Sequence, residues 1–98
     1  MTKDEVVFLK GNLKMIWSLA VYRQEAAKNP ALTGLESIQA GNKAKLTAAR
    51  AYGYREACID LLNYSFDDGI YAAECEVQRW IDEIELRSGA KLGKVDAY

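Results

Sequence analysis

The sequence predicts an all-α protein, a small three-helix bundle that also associates with itself through its helices. Three observations carry this reading. Pro30 is the single proline among 98 residues, apolar positions recur at helical rather than alternating spacing, and capping signals fall where that periodicity begins. The proline-free stretch from Leu35 to Tyr64 is also apolar on two sides of a 100° wheel. Leu35, Ile38, Leu46, Ala49 and Tyr52 make one stripe of mostly large residues, and Ala40, Ala44, Ala48 and Ala51 make a smooth second one. A helix with two such faces is expected at the centre of the bundle, covered twice.

The first helix is expected over residues 3–28. Thr2-Lys3-Asp4-Glu5 reads as a capping box, with Met1 placed to staple onto Val6. Asn29 ends the helix because the residue before proline is pushed out of the α region. The main stripe is Val6, Leu9, Leu13, Ile16, Trp17 and Ala20. Phe8, Met15, Leu19 and Tyr22 lie nearly opposite, and this second seam is the expected oligomer interface.

The central helix is expected over residues 34–64, opened by a second capping box at Thr33-Gly34-Leu35-Glu36. Gly41 and Gly53 each cost about 1 kcal/mol relative to alanine in a helix interior. Each therefore suggests a bend or a close backbone approach, and the helix is expected to be kinked or split near one of them. Beyond Gly53 the stripe passes to Tyr54, Cys58, Leu61 and Leu62.

Ser65 is the expected cap of a third helix over residues 66–88, with Asp67 and Asp68 in its first turn. Its stripe is Ile70, Ala73, Val77, Trp80, Ile81 and Ile84, and its opposite face is acidic. Trp17 and Trp80 are expected as core anchors. Ser88-Gly89 stops the helix. Residues 1–89 thus read as a single helical domain, and residues 90–98 as an irregular or disordered tail.

Half of the residues are hydrophobic and 28% are charged, a balance that excludes a disordered tail protein. The longest apolar runs are too short to span a bilayer, and the N-terminus carries acids where a signal peptide carries bases, so the expected location is the cytoplasm. Cys58 and Cys75 are too few for a disulfide scaffold. They read as small buried hydrophobes in a reducing compartment, the alternative being a bridge between the second and third helices. The net charge of −1 conceals a division: residues 1–55 carry +5 and residues 56–98 carry −6. Such a division can steer partners or let the third helix complement the first two.

Histidine is absent, which removes the commonest general base and metal ligand and every Ser-His or Cys-His pair. The glycines are scattered and form no phosphate loop. Glu56 with Asp60, and Asp67 with Asp68, lack a third oxygen ligand at loop spacing. No catalytic residue, cofactor or metal is therefore expected, and an enzyme working through carboxylates alone is the remotest class.

The most informative constellation is Arg50, Tyr52, Tyr54 and Arg55, with Lys43 and Lys45 one to two turns earlier. Bases interleaved with aromatics suit an acidic protein surface, or phosphates and stacked bases. Lys43, Arg50, Tyr54 and Arg55 are the expected partner-binding residues. The function this implies is a non-enzymatic protein–protein interaction module that occupies a partner's surface. The alternative is a nucleic-acid or nucleotide binder using the same basic and aromatic face. Short length, two-faced helices and missing catalytic groups are similar in kind to the small accessory and inhibitor proteins of bacteriophages and mobile elements, a likeness of type that no motif carries.

Overall fold

Thr2 sets the start of the first helix: its side-chain oxygen accepts a hydrogen bond from the Glu5 amide at 3.2 Å. Its hydroxyl donates to the Glu5 carboxylate at the same distance. The computed structural model describes residues 1–66 and 69–94. Among them are three helices, α1 (Lys3–Ala26), α2 (Gly34–Phe66) and α3 (Ile70–Ser88), and no strand. None is long and apolar enough to cross a membrane. α1 ends two residues earlier than its periodicity suggests. Ahead of Pro30 the amides of Lys28 and Asn29 turn back to the Glu25 and Ala26 carbonyls, tightening the chain out of the α-helix.

α2 departs from expectation by being a single unbroken helix of 33 residues. Neither Gly41 nor Gly53 divides it, and a Cβ at either would meet nothing within 4 Å, so no close backbone approach calls for them. Packing of the helix against α1 and α3 outweighs the local glycine cost. The turn into α3 is also later than the sequence suggests. Ser65 lies inside the last turn of α2 rather than capping α3, and the N-cap position belongs to Gly69 at φ 92°. That left-handed backbone favours glycine, which places the helix start after Gly69. Asp67 and Asp68 lie outside the described residues.

The core is formed by Leu9, Leu13, Trp17, Ala20 and Val21 of α1, Ala51, Cys58, Ile59 and Leu62 of α2, Ala73, Val77, Trp80, Ile81 and Ile84 of α3, and Leu92 of the segment that follows α3. Both tryptophans are anchors, as their stripes imply, and each indole N–H finds a carboxylate. Trp17 donates to Glu85 at 3.3 Å and Trp80 to Glu76 at 3.0 Å. The edge of Trp17 also meets Tyr52 across a 5.1 Å centroid separation.

α2 is not covered on both faces. Its alanine face is turned inward, where small side chains let a neighbouring helix approach, whereas Leu35, Ile38 and Leu46 stay 67%, 61% and 54% exposed. Orientation explains this. On a 100° wheel these three residues lie opposite the buried Thr47, Ala51, Cys58 and Leu62, the same side on which Ala57 and Tyr64 are exposed in the C-terminal half of α2.

One polar side chain, Thr47, is buried among the described residues. Its hydroxyl accepts from the Arg23 guanidinium at 2.7 Å and donates to the Lys43 carbonyl at 2.8 Å, fixing the register of α1 against α2. The cysteines part company. Cys58 is fully buried, and burial pushes its thiol up to about 11. Cys75 is exposed, contrary to expectation, because it lies opposite the Val77–Ile81 stripe. Both thiols are free.

Candidate functional site

The surface with the least internal explanation is the outer face of α1. Phe8, Met15 and Tyr22 recur every seven residues, so they line one side of the helix over roughly 21 Å, with Leu19 between the last two. Phe8, Met15 and Tyr22 are 72%, 72% and 71% exposed, and Leu19 is also exposed. Gly11 lies on the same side, and a Cβ there would meet nothing within 4 Å. A glycine in mid-helix costs about 1 kcal/mol, and no contact inside this fold requires it. Together these residues make an apolar strip with a shallow centre.

The predicted basic and aromatic residues fall on two sides of α2. Lys43 and Arg50 are exposed, one above the other, about 10 Å apart along α2, and neither forms an ion pair among the described residues. Lys45 is exposed as well. Tyr54 is half-buried and packs against the core, so its ring is only partly available for stacking. Arg55 pairs with the neighbouring Glu56 and faces a hollow beside α3. Tyr52 is turned inward to Trp17 and the C-terminal segment. The structure thus keeps Lys43, Arg50 and, one turn on, the half-buried Tyr54 on one side of the continuous helix, and places Arg55 on another. On the acidic side Glu56 and Asp60 are both exposed.

Sequence periodicity missed a second arrangement, at the end of α3. Gly89, at φ 75°, closes the helix with its amide on the Glu85 carbonyl at 2.9 Å. The chain then lies across all three helices without regular structure of its own, with Leu92 buried. Four successive backbone groups are met by side chains. The Lys91 carbonyl accepts from the Gln24 amide nitrogen at 2.9 Å, and the Leu92 amide donates to the Glu85 carboxylate at 2.7 Å. The Leu92 carbonyl accepts from the Tyr52 hydroxyl at 3.5 Å, and the Gly93 amide donates to the Gln24 side-chain oxygen at 2.7 Å. Burial, reinforced by the nearby Glu85 charge, raises the Tyr52 phenol above its ordinary value. The available signal was slight: Leu92 is the one large apolar residue between the helix-ending Gly89 and Lys94. Residues 95–98 of the expected tail lie outside the described residues.

Compared with known proteins, the chain matches no family model, no curated protein and no solved structure.

Proposed function

We propose that this chain is a non-enzymatic helical interaction module that covers a surface of another protein through the basic side of α2, and that the α1 strip pairs two copies of the chain. The observation that carries the reading is the exposure of Phe8, Met15 and Tyr22 on one helix face, beside a glycine the fold does not need. Contiguous exposed apolar side chains on a folded domain usually mark an interface, and an isologous twofold contact is the simplest closed arrangement for a single face. Lys43 and Arg50 on α2 add positive charge that selects an acidic partner surface. Occupying a surface in this way is how small accessory and inhibitor proteins act.

The test is sedimentation of the wild type and of the Met15→Glu, Leu19→Glu double variant over a wide concentration range. A wild-type dimer and a variant monomer with unchanged helical dichroism are expected. A wild type that remains monomeric at high concentration removes self-pairing from the proposal.

A second reading, nucleic-acid binding, draws on the exposure of Lys43, Lys45 and Arg50 without acidic partners among the described residues. The half-buried Tyr54 weakens it, because a stacking platform needs an open ring face. Salt-dependent retention on RNA or DNA, lost with Lys43→Gln and Arg50→Gln and with its slope reduced by about one per phosphate contact removed, is what this reading requires. Slower association with a protein partner on the same substitutions is the outcome expected here.

A further inference from the structure

The segment Lys91 to Lys94 lies on its three helices as a bound peptide lies on a receptor. Its backbone is read by Gln24 of α1, Tyr52 of α2 and Glu85 of α3, and the Gln24 amide spans the Lys91 carbonyl and the Gly93 N–H as a neighbouring peptide group does in a sheet ladder. Backbone pairing supplies affinity for any extended chain, and two features add selectivity. Leu92 fills an apolar socket. At Gly93 an added Cβ would stand 3.2 Å from the Gln24 side-chain oxygen, so a larger residue there must push back the group that holds the Gly93 amide. Lys91 and Lys94 line the same hollow as Asp82 and Glu85, while the one base of the helices there, Arg55, pairs with Glu56, so the wall that meets the segment is acidic on balance. The resident segment does not fill the cleft: beside it, between Trp17, Tyr52, Gln78 and Ile81, remains a hollow of about 590 Å³.

We infer that this cleft is a linear-peptide binding site, held closed in cis by residues 91–94, and that its occupant in trans is an extended basic segment of another protein carrying leucine followed by glycine. A chain with the same backbone pairing and additional side chains for the hollow displaces the resident one. The cleft uses Gln24, Tyr52 and Glu85, and none of the α1 strip residues, so the inference stands apart from the proposed dimer.

The test is fluorescence anisotropy of a labelled, end-capped peptide copying residues 88–94, titrated with the full chain and with its Leu92→Asp variant. Weakening the resident competitor is expected to tighten peptide binding at least about tenfold. Leucine-to-aspartate exchange in the peptide is expected to abolish binding to both proteins, and the Met15→Glu, Leu19→Glu chain is expected to bind as the wild type does. Equal affinity of wild type and Leu92→Asp overturns the inference, because the peptide is then bound elsewhere. So does a folded Leu92→Asp chain that binds no peptide. If Leu92→Asp unfolds the protein, Leu92→Ala takes its place. Loss of the fold in both makes Leu92 an obligatory core residue rather than a ligand, which also overturns it.

Discussion

Thr47→Val tests the buried contact that registers α1 against α2. The substitution keeps the shape of the side chain and removes only the hydroxyl, which takes the Arg23 guanidinium at 2.7 Å inside a site 2% exposed. A hydrogen bond to a charged group contributes about 1.5–3 kcal/mol net, and its loss also leaves Arg23, which is only half-exposed, without this partner. The bond from Thr47 to the Lys43 carbonyl offsets little, since such back-bonding within a helix is mildly unfavourable. A loss of about 1.5–3 kcal/mol follows, and for a domain of this size it lowers Tm by at least about 6 °C. Urea denaturation of wild type, Thr47→Val, Arg23→Leu and the double variant separates the pair from its surroundings. A coupling energy of at least about 1 kcal/mol is expected. Thr47→Val within about 0.5 kcal/mol of wild type, or additive single effects, refutes the argument that this contact locks the register.

Three further outcomes follow from other parts of the molecule. Trp80→Ala removes a 3% exposed ring and an indole bonded to Glu76, and should cost about 3–5 kcal/mol, seen as partial or complete unfolding by dichroism at 25 °C. Gly89→Ala forces a Cβ into a left-handed position at φ 75°, so thermal melts should show a loss of about 1–2 kcal/mol, while Gly53→Ala in the open mid-helix should gain stability. The Cys58 thiol lies above its ordinary value of 9.0, at about 11, so the folded state holds the proton more tightly than the unfolded chain does. Its contribution is complete below about pH 9 and is lost as the pH rises through 11. Cys58→Ala should remove that part of the alkaline loss of stability, and in the wild type at neutral pH a thiol reagent should label Cys75 rapidly and Cys58 only on unfolding.

Much of the fold is legible because it depends on local chemistry. The Thr2 box, the stop before Pro30, the Gly89 terminus and the amphipathic stripe of α3 each arise from residues within a turn or two of one another. The glycines of α2 misled for the same reason. Gly41 and Gly53 carry a real local cost, and only the packing of α1 and α3 along the helix outweighs it. Of the candidate surface, the α1 strip could be read directly, since Phe8, Met15, Leu19 and Tyr22 share a face by spacing alone. The inward packing of Tyr52 and the half-burial of Tyr54 could not, because they depend on which side of α2 each neighbouring helix takes.

The sequence by itself determined three helices, their apolar stripes and the charge division between the two halves of the chain, all properties of side-chain periodicity and capping. Only the tertiary structure decided which apolar surface stays exposed. The other helices pack on the side of α2 that carries Thr47, Ala51, Cys58 and Leu62, so Leu35, Ile38 and Leu46 on the opposite side remain outside. It also decided the fate of the C-terminal segment. No periodicity in residues 90–94 marks them as structured, because their backbone is satisfied by Gln24, Tyr52 and Glu85, groups as much as 69 residues away in the chain. Hydrogen bonds over such separations exist only once α1, α2 and α3 have packed.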